Sequence, residues 1–165
     1  MSREILFKAK RTDTGEWVKG AYSRFYENSG KLLHMIFVNY ENEKRSQPVD
    51  IDPSTLCQYT GLTDKNGKKI FDGDIVKFLG NIGTVKFECG CFGITFNYTI
   101  DWEKIESNIC PITGCDNALH TCENDNFISL WEIYWNFNDE GNSVYTVEVI
   151  GNIFDNPKLL KEGAE

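Results

Sequence analysis

Glycine-bearing turns punctuate this chain at short intervals, and the runs between them alternate in polarity as strands do. Residues 4–10 place Ile5, Phe7 and Ala9 on one side and Glu4, Leu6 and Lys8 on the other, the period-two pattern of a strand with two distinct faces. The polar link Arg11-Thr12-Asp13-Thr14-Gly15 follows, and residues 15–22 alternate again, as the arms of a hairpin should. Glu27-Asn28-Ser29-Gly30 supplies the next turn before the apolar run 31–40. The first forty residues therefore read as a three-stranded antiparallel meander. Composition points the same way: with 14 Gly and 4 Pro the turns are glycine turns, and 4 Trp, 7 Tyr and 11 Phe favour pleated surfaces.

Beyond residue 40 the pattern continues with interruptions. Residues 41–52 are charged and polar, with a short strand around 47–51. Asp52-Pro53-Ser54-Thr55 reads as one helical turn, Asp52 capping it and Pro53 at its first position. Asn66-Gly67 suits a tight turn and Asp72-Gly73-Asp74 another. Strands are predicted over 75–79 and 84–87 around a Gly80-Asn81-Ile82-Gly83 turn, and a third over 92–98. Gly73-Asp74-Ile75-Val76, Gly83-Thr84-Val85 and Gly93-Ile94-Thr95-Phe96 are similar in order to the strands of SH3-like barrels, where glycines permit tight corners. Residues 101–126 are turn-rich, bear cysteines and lack periodicity, so they read as a loop insertion. A strand is predicted over 127–137, where Trp131, Ile133 and Trp135 alternate with Glu132 and Tyr134. The Asn138-Asp139-Glu140-Gly141 turn then leads to a strand over 145–150, and Asn156-Pro157 opens a short last helix. The expectation is an all-β fold with minor helix. Residues 1–56 form the N-terminal meander, and residues 57–165 an SH3-like, partly closed barrel carrying the insertion.

Length allows one ordinary domain or two small ones sharing an interface. The charged residues Arg3, Glu4, Lys8 and Lys10 exclude a signal peptide at the start, and no stretch is apolar enough for a membrane helix, so a cytoplasmic chain is expected. A net charge of −8 and a pI near 4.8 argue against a general nucleic-acid binder, because backbone binding needs Lys and Arg to neutralise phosphates. One local basic patch stays compatible with that balance.

Three pieces of the sequence resemble the YopX family, small proteins typically encoded by bacteriophages and prophages. They are Arg3-Glu4-Ile5-Leu6-Phe7-Lys8-Ala9 with Gly15 and Trp17-Val18 downstream, the central block 58–76 running from Gln58-Tyr59-Thr60-Gly61-Leu62 to Asp72-Gly73-Asp74-Ile75-Val76, and the ending Val147-Glu148-Val149-Ile150-Gly151-Asn152-Ile153-Phe154-Asp155-Asn156-Pro157. Together they span the chain. Lys10, where the family often has tryptophan, and the cysteine-bearing stretch depart from the pattern. The resemblance implies an all-β fold with a barrel-like C-terminal part and a phage setting. It implies no established activity and supplies no catalytic residues.

Candidate chemistry is sparse. Asp64, Asp72 and Asp74 lie close in sequence and carry the oxygen ligands of a hard cation, yet Asp64-Lys65-Asn66-Gly67 puts glycine too early for a calcium loop. Aspartates beside glycine in turns bond their own backbone, which is the simpler role. Cys110, Cys115, His120 and Cys122 offer soft ligands for zinc, but no CxxC spacing supports the site, and no metal or other cofactor is expected. His34, in an apolar strand, reads as a strand residue rather than a catalytic base. No Ser-His-Asp or Cys-His arrangement and no phosphate loop is found, so the chain is not read as an enzyme. The expected function is that of a phage or prophage accessory protein working through protein contacts, including contacts between copies of itself. Its contact residues would be Tyr59, Asp64, Asp72, Asp74, Trp131 and Trp135. The alternative is a nucleic-acid-binding module on an SH3-like barrel.

Overall fold

In the computed structural model, which describes residues 4–39, 45–101, 126–136, 143–144 and 146–162, the N-terminal turns close hairpins at the expected places. Strand β1 (Phe7–Lys10) pairs with β2 (Trp17–Tyr26), Lys10 opposite Trp17 and Phe7 opposite Gly20. The turn after β2 is closed by the Glu27 N–H on Lys31 O and the Gly30 N–H on Glu27 O, both 2.9 Å, with Gly30 at φ +83°. Strand β3 (Leu32–Val38) then pairs with β2, and β4 (Gln47–Asp50) with β3. The antiparallel meander is therefore present.

The segment after β4 returns to β1 and closes the ring. Asp52 N–H donates to Lys10 O at 2.8 Å, Thr12 N–H to Asp50 O at 3.1 Å, and Arg11 bridges to Ile51. A 3-10 turn (Pro53–Thr55), capped as expected by the Asp52 carboxylate on the Ser54 N–H, interrupts this pairing. Thr55 compensates: its hydroxyl accepts the Lys10 N–H at 2.8 Å, occupying a position a strand carbonyl would otherwise fill. Pairing resumes where Cys57 and Gln58 face Lys8 and Phe7 and the Tyr59 N–H reaches Leu6 O. Inside lie Ala9, Ile36 and Ile51, with Phe7, Val18, Tyr22, Val38 and Leu56 packed against them. Gly20 is obligatory here, since a Cβ would stand 2.0 Å from Phe37 O.

Two compact units divide the chain, Met1–Tyr59 and Thr60–Glu165. Strand β5 (Cys57–Asp64) straddles the boundary: its first residues pair with β1, while Thr63 and Asp64 run parallel to β11 (Ser143–Val144). The second unit continues with β6 (Lys69–Phe71), β7 (Asp74–Phe78), β8 (Asn81–Glu88), β9 (Cys91–Thr95), β10 (Phe127–Ser129), helix α1 (Leu130–Asn136), β12 (Val147–Asn152) and helix α2 (Leu159–Glu162). Five strands form a sheet in the order β10-β9-β8-β7-β12. Its outer strands β10 and β12 do not pair with each other among the described residues, so the sheet is open where an SH3-like barrel would begin to close. The fold is all-β with minor helix, as expected. Ile70, Val76, Phe78, Val85, Ile94, Ile128, Leu130, Ile133, Val144 and Val147 are nearly or fully shut from water in the second core.

Two expectations are corrected. The β7–β8 turn is Leu79-Gly80, with φ +46° and +90°, and Gly83 lies inside β8, where a Cβ would meet Ile94 at 2.5 Å. Two-residue turns with positive φ match the right-handed twist of paired strands, which is why they are the commonest hairpin connections. Cys89-Gly90 is likewise the β8–β9 turn. The single strand predicted over 127–137 stops at Ser129, and Trp131 and Ile133 sit on α1. The cause is a reciprocal cap: Glu132 N–H donates to Ser129 Oγ at 3.0 Å, and Ser129 N–H to the Glu132 carboxylate at 3.2 Å. Residues 102–125 of the predicted insertion, the turn at 138–141 and the zinc candidates Cys110, Cys115, His120 and Cys122 lie outside the described residues.

Candidate functional site

The central block is built around two buried carboxylates. After β5 the chain turns through Lys65, Asn66 and Gly67, Gly67 at φ +77°, with the Asp64 N–H on Lys68 O at 2.8 Å. Asp64 Oδ1 accepts the Asn66 and Lys68 N–H groups at 2.8 and 2.9 Å, and Oδ2 accepts the Val149 N–H at 2.9 Å. The residue is 1% exposed, so its carboxylate is directed at backbone donors and away from solvent. Asp74, also buried, accepts the Phe71 N–H at 2.8 Å. Between them Gly73 bonds Val85 O and receives the Ile153 N–H, tying β12 to the turn. Asp72 is half-buried and Tyr59 is buried.

These geometries offer a cation little. Among the described residues no group of three or more His, Cys, Asp or Glu side chains could hold a metal. His34 is partnered in its strand by the Tyr22 hydroxyl, 2.7 Å from Nδ1, with the rings stacked. A shallow cleft of about 290 Å³ is lined by Arg11, Thr12, Asp13, Met35, Pro48, Val49 and Asp50. Its cation is already engaged, because Arg11 Nε and Nη2 bond the two Asp13 oxygens at 2.8 and 2.7 Å. That hydrogen-bonded pair lowers the Asp13 carboxyl to about 2.

The second unit exposes aromatic surface. Trp131 is 62% exposed and stacks on Tyr134 at 6.2 Å, while Leu130 and Ile133 on the same short helix are buried. Phe87, 59% exposed, meets Phe92 edge-on at 5.0 Å near the β8–β9 turn. The side chain of Trp135 lies outside the described residues. Of the sequence-predicted contact residues, the structure thus exposes Trp131, half-buries Asp72 and buries Tyr59, Asp64 and Asp74. Phe87 was missed because its alternation with Val85 reads as core; only its place at the end of the strand distinguishes it.

The first unit presents a different surface. Lys10, half-buried, and Lys8, which is buried, hold their ammonium groups 5.5 and 5.2 Å from the centroid of the half-buried Trp17 ring, and the exposed Lys19 stands opposite Lys8. Spacing of lysines at i and i+2 on a predicted strand, facing Trp17 across a hairpin, was the available signal. Charge is divided unevenly: residues 1–59 carry nine Lys/Arg against eight Asp/Glu, and residues 60–165 eight against seventeen.

The YopX protein family matches the chain over residues 6–161. Among solved structures, protein EF1440 from Enterococcus faecalis is similar at 23% identity, over 96% of this chain and 99% of that one, with a TM-score of 0.45. Protein yopX from Bacillus subtilis is similar at 17% identity, over 94% and 95% of the two chains, with a TM-score of 0.44. No curated protein matches the chain.

Proposed function

The chain belongs to the YopX family, and from that premise we propose that it is a phage or prophage accessory protein that works by contacting protein, including a second copy of itself. The observation that carries this reading is helix α1, which buries Leu130 and Ile133 yet turns Trp131 outward, stacked on Tyr134. A large aromatic that contributes area at small entropic cost is what protein interfaces concentrate. The buried aspartates of the central block support the turns beneath and take no part in contact. No described helix is long and apolar enough to cross a membrane. Light scattering at micromolar concentration should report a multimer that Trp131→Glu dissociates while the circular dichroism stays unchanged. A wild-type monomer that also captures no phage-encoded protein from induced cells would overturn the reading.

A second reading rests on the face formed by Lys10, Lys19 and Trp17. Lysines beside an aromatic are the elements of a single-strand binding surface, and the unit that carries them lacks the acidity of the other. This nucleic-acid reading predicts retention of single-stranded DNA that weakens with salt and is lost in Lys10→Glu/Lys19→Glu. Retention unaffected by those changes would remove it.

A further inference from the structure

Cys89 and Gly90 are the two central residues of the β8–β9 turn, at φ +52° and +81°, flanked by the pair Glu88 and Cys91. Such turns favour Asn, Asp or Gly at the first central position. Leu79 holds the same position in the preceding turn at φ +46°, so the fold tolerates an unfavoured residue there but gives no reason for a thiol. Both sulfurs are free; Cys89 is exposed, Cys91 half-buried, and Cys57 buried. Cys91 lies within electrostatic reach of Cys89 and Glu132 and is hydrogen-bonded by Ser129, while its Sγ stands 3.6 Å from Glu88 O. Two thiols of unequal access, one glycine apart on an exposed turn, are the parts of an attacking and a resolving pair.

We propose that the Cys89-Gly90-Cys91 turn is a dithiol site that undergoes reversible exchange with small-molecule disulfides of the glutathione class. The exposed Cys89, as thiolate, attacks one sulfur of the external disulfide; that S–S bond breaks, a mixed disulfide forms on Cys89, and one small thiolate leaves. Cys91 then gives up its proton and attacks the Cys89 sulfur. The mixed bond breaks, a second small thiol leaves, and a Cys89–Cys91 disulfide remains. Two protein thiols are oxidised and one external disulfide is reduced to two thiols. The order follows from access, and burial, which raises the Cys91 thiol, acts in the same direction.

The full-length protein, treated with oxidised glutathione under native conditions and digested with trypsin, tests this. The peptide 87–104 should carry an internal disulfide and no adduct, and added reductant should restore both thiols. Cys91→Ser should stop at a glutathione adduct on Cys89, and Cys89→Ser should be modified at residue 91 at least about tenfold more slowly. Both variants change a turn or half-buried position, and circular dichroism verifies their fold. A stable Cys89 adduct in the wild type, a bond from either residue to another cysteine, equal rates in the two variants, or no reaction while the denatured chain reacts would each overturn the proposal.

Discussion

Asp64 holds the central block together by accepting three backbone hydrogen bonds on one buried carboxylate. Its place before Asn66-Gly67 announced a turn, and the turn is there. Its third partner, the Val149 N–H, is 85 positions away, and no local pattern encodes that contact. The carboxylate satisfies three backbone donors, of which the Val149 N–H is buried and the Asn66 and Lys68 N–H groups lie on an exposed turn, so its removal leaves the Val149 donor unpaired at about 1–3 kcal/mol before relaxation. Asp64→Ala is expected to lower stability by about 2–3 kcal/mol in urea unfolding. Asp64→Asn, which keeps one oxygen acceptor, should cost less. An unchanged midpoint for the alanine variant would contradict the hydrogen-bond assignment. Asp13 makes the opposite case, exposed and paired only with its neighbour. Its carboxyl titrates near 2 in the fold instead of 3.8. A lowered folded value means the stabilisation is fully present above 3.8 and is lost as pH falls through about 2. NMR titration should place Asp13 near the lower value in the wild type and return it towards 3.8 in Arg11→Gln.

Elements were legible where turn chemistry is strict and misread where an element changes type within an apolar run. The links at 11–15, 27–30 and 65–67 were located because glycine must supply positive φ there. Leu79-Gly80 was missed because leucine is a poor resident of that position. The fold nevertheless imposes φ +46° on it, and a branched side chain there is strained by about 1 kcal/mol. Leu79→Asn should therefore stabilise the protein by up to about 1 kcal/mol, raising the thermal midpoint; a loss would show that the leucine side chain, 40% exposed, contributes more than its backbone costs. Helix α1 was hidden by the alternation of Trp131, Ile133 and Trp135, which satisfies a strand template. The deciding signal was Ser129-x-x-Glu132, a cap motif present in the sequence and outweighed by aromatic β-propensity. Ser129→Ala removes one half of that cap and should cost about 1 kcal/mol, with a drop in helical signal that Ser129→Thr does not produce.

At the scale of the whole molecule, closure of the first unit was the feature that sequence could not supply. Alternation identified the meander, but it carries no information on whether the last strand returns to the first. The return depends on residues 50–59 meeting β1, through backbone groups that any sequence possesses, and on one side chain, Thr55, standing in for a carbonyl. Cys57, Gln58 and Tyr59 pair with Lys8, Phe7 and Leu6. Those residues begin β5, whose later half belongs to the second unit, so one strand serves two pairing systems in succession. A fragment of residues 1–59 keeps every hydrogen bond of the ring, whereas residues 1–56 leave the Leu6–Lys8 edge of β1 open. The longer fragment should unfold cooperatively and be more stable by about 2 kcal/mol, the net worth of a few backbone hydrogen bonds. For so small a domain that difference separates a folded chain from a marginal one. Equal urea midpoints would mean that the ring is already closed by Asp50, Ile51, Asp52 and Thr55, and that β5 stabilises the second unit alone.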